Sequence, residues 1–177
     1  GPVAGKVELL STGDLTLQLE SKVSASGAVG GTVNAQATTG TLLSSGTVEA
    51  TGGDGQGGLI RLQGDRVGLL NRSRTDASGA EGGGIVLVGG GFQGADAGMQ
   101  NAKRTVVLPG AEVSADATRD GDGGRVVIWS DEATRYYGNI TARGFGDGKG
   151  GFVEVSGKQQ LAFAGNVNVS ATSGLSL

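Results

Sequence analysis

Gly83-Gly-Ile-Val-Leu-Val88, Gly123-Gly-Arg-Val-Val-Ile128 and Gly150-Gly-Phe-Val-Glu-Val155 repeat one phrase, a glycine pair followed by a stretch with an aliphatic residue at every second place. In an extended chain a period of two sends alternate side chains to opposite faces, so Val86 and Val88, Val126 and Ile128, and Val153 and Val155 each share one face. The phrase extends backwards to Gly58-Leu-Ile60-Arg-Leu62, Gly31-Thr-Val33-Asn-Ala35 and Gly5-Lys-Val7-Glu-Leu9. The anchoring glycines of these six copies lie 26, 27, 26, 40 and 27 residues apart. The long interval places an insertion at about residues 91–104, in the fourth unit.

A second track keeps the same period: Val23-Ser-Ala25, Val48-Glu-Ala50, Thr75-Asp-Ala77, Val113-Ser-Ala115, Ile140-Thr-Ala142 and Val167-Asn-Val169. Between the two tracks lies a third apolar position: Leu17, Leu43, Leu70, Leu108, Tyr136 or Tyr137, and Phe163. Each unit of 26–27 residues therefore reads as three short strands. No Asn-Gly type of hairpin turn links them, so they pair between units rather than within one. Stacked units give three parallel sheets wound around a shared interior, an all-β parallel β-helix (β-solenoid) of about six coils. Residues 3–177 form a single β-helix domain, read as a fragment of a longer solenoid, and Gly1-Pro2 looks like a cleavage-tag scar.

Composition agrees. Gly supplies 37 of 177 residues, which rules out a helical protein because Gly costs roughly 1 kcal/mol relative to Ala inside a helix. Collagen needs Gly at every third place and abundant Pro, and Pro occurs twice. A chain with 37% hydrophobic and 18% charged residues can build a core. Cys and His are both 0, which removes thiol nucleophiles, disulfides, zinc clusters and the commonest general base. A net charge of −3 with basic residues scattered singly leaves no footprint for nucleic acid. No apolar run approaches the ~20 residues of a membrane helix.

The strings Val126-Val-Ile-Trp-Ser-Asp-Glu-Ala-Thr-Arg-Tyr-Tyr-Gly138 and Gly150-Gly-Phe-Val-Glu-Val-Ser-Gly-Lys158 resemble the filamentous haemagglutinin-like exoproteins of bacteria, large surface adhesins exported by two-partner secretion. The resemblance is best from about Thr47 to Ala171. It implies a right-handed β-helix shaft, an outer-membrane two-partner secretion transporter as the partner of the full-length protein, and a secreted or cell-surface location. The Asn-Pro-Asn motif of the family's amino-terminal secretion domain is missing, so the chain reads as an internal shaft segment that holds binding regions away from the cell.

Three acidic glycine turns, at residues 53–58, 121–124 and 146–151, include or adjoin Asp54, Asp120 and Asp147. Asp120 and Asp147 fall at the same offset in neighbouring coils and are weak candidates for calcium. Otherwise no metal or cofactor is expected, since Asp recurs once per coil rather than every nine residues. The outward first-strand places hold no carboxylate pair, with Glu8 and Glu154 at opposite ends, so a polysaccharide-active enzyme is the least favoured reading. A second reading is a carbohydrate- or partner-binding module for a host or neighbouring-cell glycan or protein. It would use Trp129, Tyr136 and Tyr137 together with Phe92 and Met99 of the insertion.

Leu59, Ile85, Leu87 and Val127 form an outward apolar patch that a solenoid would not leave bare, and the insertion is expected to fold over it through Phe92 and Met99. Val127→Asp is expected to be milder than the inward Val126→Asp. Uncapped ends, near Val7-Glu-Leu9 and at Leu175-Ser-Leu177, point to end-to-end self-association.

Overall fold

The computed structural model describes residues 1–172, and Leu175-Ser-Leu177 lies outside them. The chain winds into six coils. First strands are Lys6–Ser11, Thr32–Ser44, Leu59–Leu69, Ile85–Val88, Arg125–Ile128 and Phe152–Val155. Third strands are Lys22–Ser24, Thr47–Glu49, Arg74–Asp76, Glu112–Ser114, Asn139–Thr141 and Asn166–Asn168. Every strand pair is parallel and joins one coil to the next, as in Val86 opposite Ile60 and Val126.

Three separate sheets were expected, and the structure joins two of them. In coils two and three the first strand runs on through the corner, so Thr32–Ser44 and Leu59–Leu69 supply second-strand residues as well. Separate second strands occur as Leu15–Leu17, Arg104–Val107, Ala133–Tyr136 and Gln160–Phe163. First and second strands form one sheet of 10 strands, third strands a sheet of 6, and Gly144–Phe145 pairs with Ala171–Thr172 in a small additional ladder.

In coils two to four the second strand also shifts the predicted register by one, while Leu17, Tyr136 and Phe163 fall in the expected column. Leu42, Leu69 and Val107 are fully buried, whereas Leu43, Leu70 and Leu108 are only half-buried. The inward column runs Leu17, Ser44, Leu69, Val107, Tyr136 and Phe163. Leu42-Leu43, Leu69-Leu70 and Val107-Leu108 are apolar doublets that fit either register, and the corner between first and second strands decides which member turns inward. Of the two tyrosines, Tyr136 enters the core: its ring stacks on Phe163 at 5.1 Å and its hydroxyl donates to the Asn166 carbonyl oxygen at 2.7 Å. Burial raises its pKa above the ordinary tyrosine value.

First and third strands follow the predicted alternation. Val33, Ile60, Val86 and Val126 stack in one inward column, and Val48, Thr75, Val113 and Ile140 in another, all buried. Neighbours sit about 4.8 Å apart, and each fully buried aliphatic side chain contributes roughly 1.5 to 3 kcal/mol.

The corner from third strand to next first strand holds the glycine pairs. The amide of Gly84 donates to the Ala77 carbonyl at 2.7 Å, and the same bond recurs from Gly31 to Ala25, Gly58 to Ala50, Gly124 to Ala115 and Gly151 to Ala142. A Cβ on Gly84 would overlap the carbonyl oxygen of Gly58 one coil away, and Gly58, Gly124 and Gly151 face the equivalent oxygen. None of these four has a positive φ, so close approach of backbones is what excludes a side chain.

Two outcomes test this packing. Gly84→Ala should lower stability by about 3 kcal/mol because rigid backbone on both sides must shift, whereas Gly5→Ala, with open space at its Cβ position, should stay within about 0.5 kcal/mol of the parent. Thr75, buried in an aliphatic column with its hydroxyl unpartnered, should accept Val with a gain of about 1 kcal/mol. Denaturant unfolding of the three variants measures both effects.

Candidate functional site: the strap across the first sheet

The insertion leaves coil four after Val88 and returns at Arg104. Arg104 already belongs to the strand Arg104–Val107, one residue earlier than the predicted boundary. Gly89, with φ of 77°, turns the chain outward; its amide donates to Leu62 and its carbonyl accepts from Ala102, closing the base of the loop. A short 3-10 turn, Phe92–Gly94, lies within it.

The loop lies as a strap on the outer face of the first sheet. Met99 packs into a second apolar cluster with Leu87, Val127 and Trp129, and Leu59 borders it. The predicted cover over the outward patch is therefore present for three of its four residues, while Ile85 stays 40% exposed. Val127 does point away from the solenoid interior, yet it is 0% exposed beneath the strap. The expected mildness of Val127→Asp fails for that reason, since a carboxylate there would be buried as well.

Polar contacts fix both ends of the strap. Towards coils three and two, the Gln100 backbone N–H donates to Gln63 Oε1 at 2.8 Å, its side chain donates to the Thr38 carbonyl at 2.7 Å, and Gln36 donates to Gln100 Oε1 at 2.8 Å. Towards coil six, the backbone N–H of Gln93 donates to Glu154 Oε1 at 2.9 Å. At the centre, the Trp129 indole N–H donates to Asp131 Oδ1 at 2.9 Å, and Asn101 bridges Asp131 to the Gly94 carbonyl. The indole lies so close to Gly94 that a Cβ there would overlap the ring.

The aromatic candidates are dispersed. Tyr136 is inside the stack, Tyr137 is half-buried, and Trp129 and Met99 are covered by the strap, so none of Trp129, Tyr136 and Met99 offers a free surface. Phe92 remains outside, 43% exposed, in an edge contact with Phe152 at 5.6 Å. The Arg125 guanidinium lies 5.7 Å from the centre of one ring and 5.2 Å from the other. Arg125 and Phe152 are the members of this cluster that the aromatic reading missed. Their signal was their shared outward column with Leu59 and Ile85, confirmed by the pairing of Arg125 with Ile85 and Phe152. A groove of about 330 Å³ lies between Ile85, Phe92, Asp96 and Arg125.

The Asp120 carboxylate takes a backbone role, and Asp147 supplies its N–H to it. Asp120 Oδ1 accepts the N–H of Asp147 at 3.0 Å, and Asp122 Oδ1 accepts the N–H of Lys149 at 2.8 Å, so each carboxylate ties its turn to the next coil. Among the described residues no three acidic groups are gathered as a cation site. Asp116 is nearly buried and accepts from the Thr141 hydroxyl and from both the backbone and guanidinium of Arg143. That hydrogen bond, together with the charge of Asp116, raises the pKa of Arg143.

No protein-family model and no curated protein sequence matches the chain. Among solved structures, the HMW1 secretion domain from Haemophilus influenzae superposes with a TM-score of 0.62 at 24% identity. The match covers 95% of this chain and 49% of that one, so the chain spans about half the length of that structure. At this identity the likeness establishes a shared β-solenoid fold.

Met99→Ala should cost about 2 kcal/mol through the cavity it opens. The chain has 1 Trp, so the emission of Trp129 reports directly on the strap. Met99→Ala should shift that emission to the red and raise its quenching by acrylamide, and Val127→Asp should do the same with a larger loss of stability.

Proposed function

We propose that the chain is a rigid shaft segment of a secreted bacterial adhesin of the filamentous haemagglutinin-like kind, with no chemistry of its own. The observation that carries this reading is the ladder of parallel first-strand pairs that runs without a break from coil one to coil six, which makes the structure extensible along a single axis. At about 4.8 Å per coil, six coils contribute about 29 Å of reach, and each further coil would add the same increment. The likeness to the HMW1 secretion domain supports export, since that fold is used by a protein whose name states a secretion role. The full-length protein would cross the outer membrane through a two-partner transporter and work at the cell surface or after release.

One observation favours a second reading. Phe92, Phe152 and Ile85 are exposed side by side with Arg125, a combination suited to stacking on a sugar ring or to seating a partner's side chain. A glycan array probed with the parent chain and with Phe92→Ala separates a passive shaft from a binding module, because only the module gives a signal that the substitution removes.

Export is tested by producing the full-length exoprotein with and without its outer-membrane transporter. The proposal expects the protein in the medium or at the cell surface only when the transporter is present. Retention inside the cell in both cases overturns it.

A further inference from the structure

The side surfaces of the solenoid carry opposite charges on opposite sides. On the outer face of the second-strand track, Arg66 and Arg104 are directly paired neighbours on adjacent coils. Arg135 follows one coil further on, two places beyond Ala133, the partner of Arg104. Lys103 stands beside them. Asp65 and Glu132 are bound to Lys103 at 3.6 Å and Arg104 at 3.7 Å, and Asp14, whose Oδ1 accepts the Thr41 N–H at 2.9 Å, stands in the column of Arg66 two coils earlier. Arg66 and Arg135 are exposed and make no ion pair among the described residues. Like charges directly opposite in a sheet are destabilising, so this strip costs the isolated chain stability. A groove of about 750 Å³ runs between Arg104, Arg135, Glu132 and Gln160.

In a three-sided coil the corner between third and first strands is opposite the second-strand face. That corner carries exposed Asp54, Glu81, Asp120, Asp122 and Asp147 against Arg119 and Lys149. Asp120 and Asp122 each spend Oδ1 on a backbone N–H of the next coil, which holds the carboxylates still and leaves Oδ2 without a hydrogen bond among the described residues.

We infer that the basic second-strand face docks against the acidic glycine corner of a second copy of this chain, giving side-by-side association of solenoids. Charge complementarity selects the occupant. Over coils three to five the basic strip steps about 4.8 Å per coil, so a partner must present its carboxylates at the same interval, and the glycine corner of another copy does so by construction. The two patches differ and lie on opposite sides, so the contact is heterologous and propagates into rows rather than closing as a dimer. Exposed ion pairs are individually weak and screened by salt, so the association is weak and salt-dependent.

Sedimentation of the 177-residue chain tests this. Mass should grow with protein concentration at about 20 mM salt and remain monomeric at about 500 mM, where the Debye length is only a few ångströms. Arg66→Glu with Arg135→Glu reverses the face, and Asp54→Lys with Glu81→Lys reverses the corner. Each variant alone should stay folded and monomeric at low salt, and an equimolar mixture of the two should associate again. Association that persists in either variant, or that ignores salt, assigns it to the coil ends and overturns the inference. So does a parent chain that stays monomeric at low salt, or a mixture that fails to recover association.

Discussion

The carbonyl oxygen of one coil's glycine occupies the space in which the next coil's glycine would carry a Cβ, and the rest of the solenoid is built around that approach. With a side chain there, the third corner would open and the parallel ladders on either side of it would lose register. The corner is closed twice over: Gly84 donates to Ala77 within its own turn, while Ile85 donates to Gly58 one coil back. Ala77, Ala115 and Ala142 are buried where this corner narrows, which leaves room for little more than a methyl group. Backbone proximity thereby sets the coil spacing, and the aliphatic columns inside supply the energy of the stack.

Polar groups inside the stack serve its bends. Thr105 donates to the Trp129 carbonyl, and Thr134 pairs with Ser130 and donates to the Ser156 carbonyl, so hydroxyls satisfy backbone where strands stop and ladder bonds are interrupted. Asp116 does similar work at the third corner for Arg143 and Thr141. These residues would pass for a polar site in a list of buried side chains, and their hydrogen bonds instead explain them as supports for the turns.

The strap gives the solenoid a second, smaller core on its outside. Leu87 and Val127 face away from the interior and would be exposed on a bare coil, but Met99 and Trp129 enclose them. By reaching Thr38 at one end and Glu154 at the other, the strap ties together coils that are far apart in the stack. A repeat protein otherwise holds each coil only through its neighbours, so a contact spanning several coils adds cooperativity that the ladders alone do not provide.

The sequence by itself determined the architecture, because period-two alternation and the recurring glycine pair each have one physical solution: extended strands with a buried face, and a corner too tight for a side chain. It also determined that the insertion would cover outward aliphatic residues through Met99, whereas Phe92, the other anchor it offered, stays outside the cover. Tertiary structure alone decided the rest. Leu42 turns inward rather than Leu43, and Tyr136 rather than Tyr137, because a doublet of similar residues carries no register and the geometry of the preceding corner supplies it. Val127 is buried although its strand position is outward, because its cover comes from a segment that precedes it by many residues and docks only when the coils are stacked. The basic strip was invisible in the chain, where Arg66, Arg104 and Arg135 are separated by long intervals, and coil stacking alone makes them neighbours.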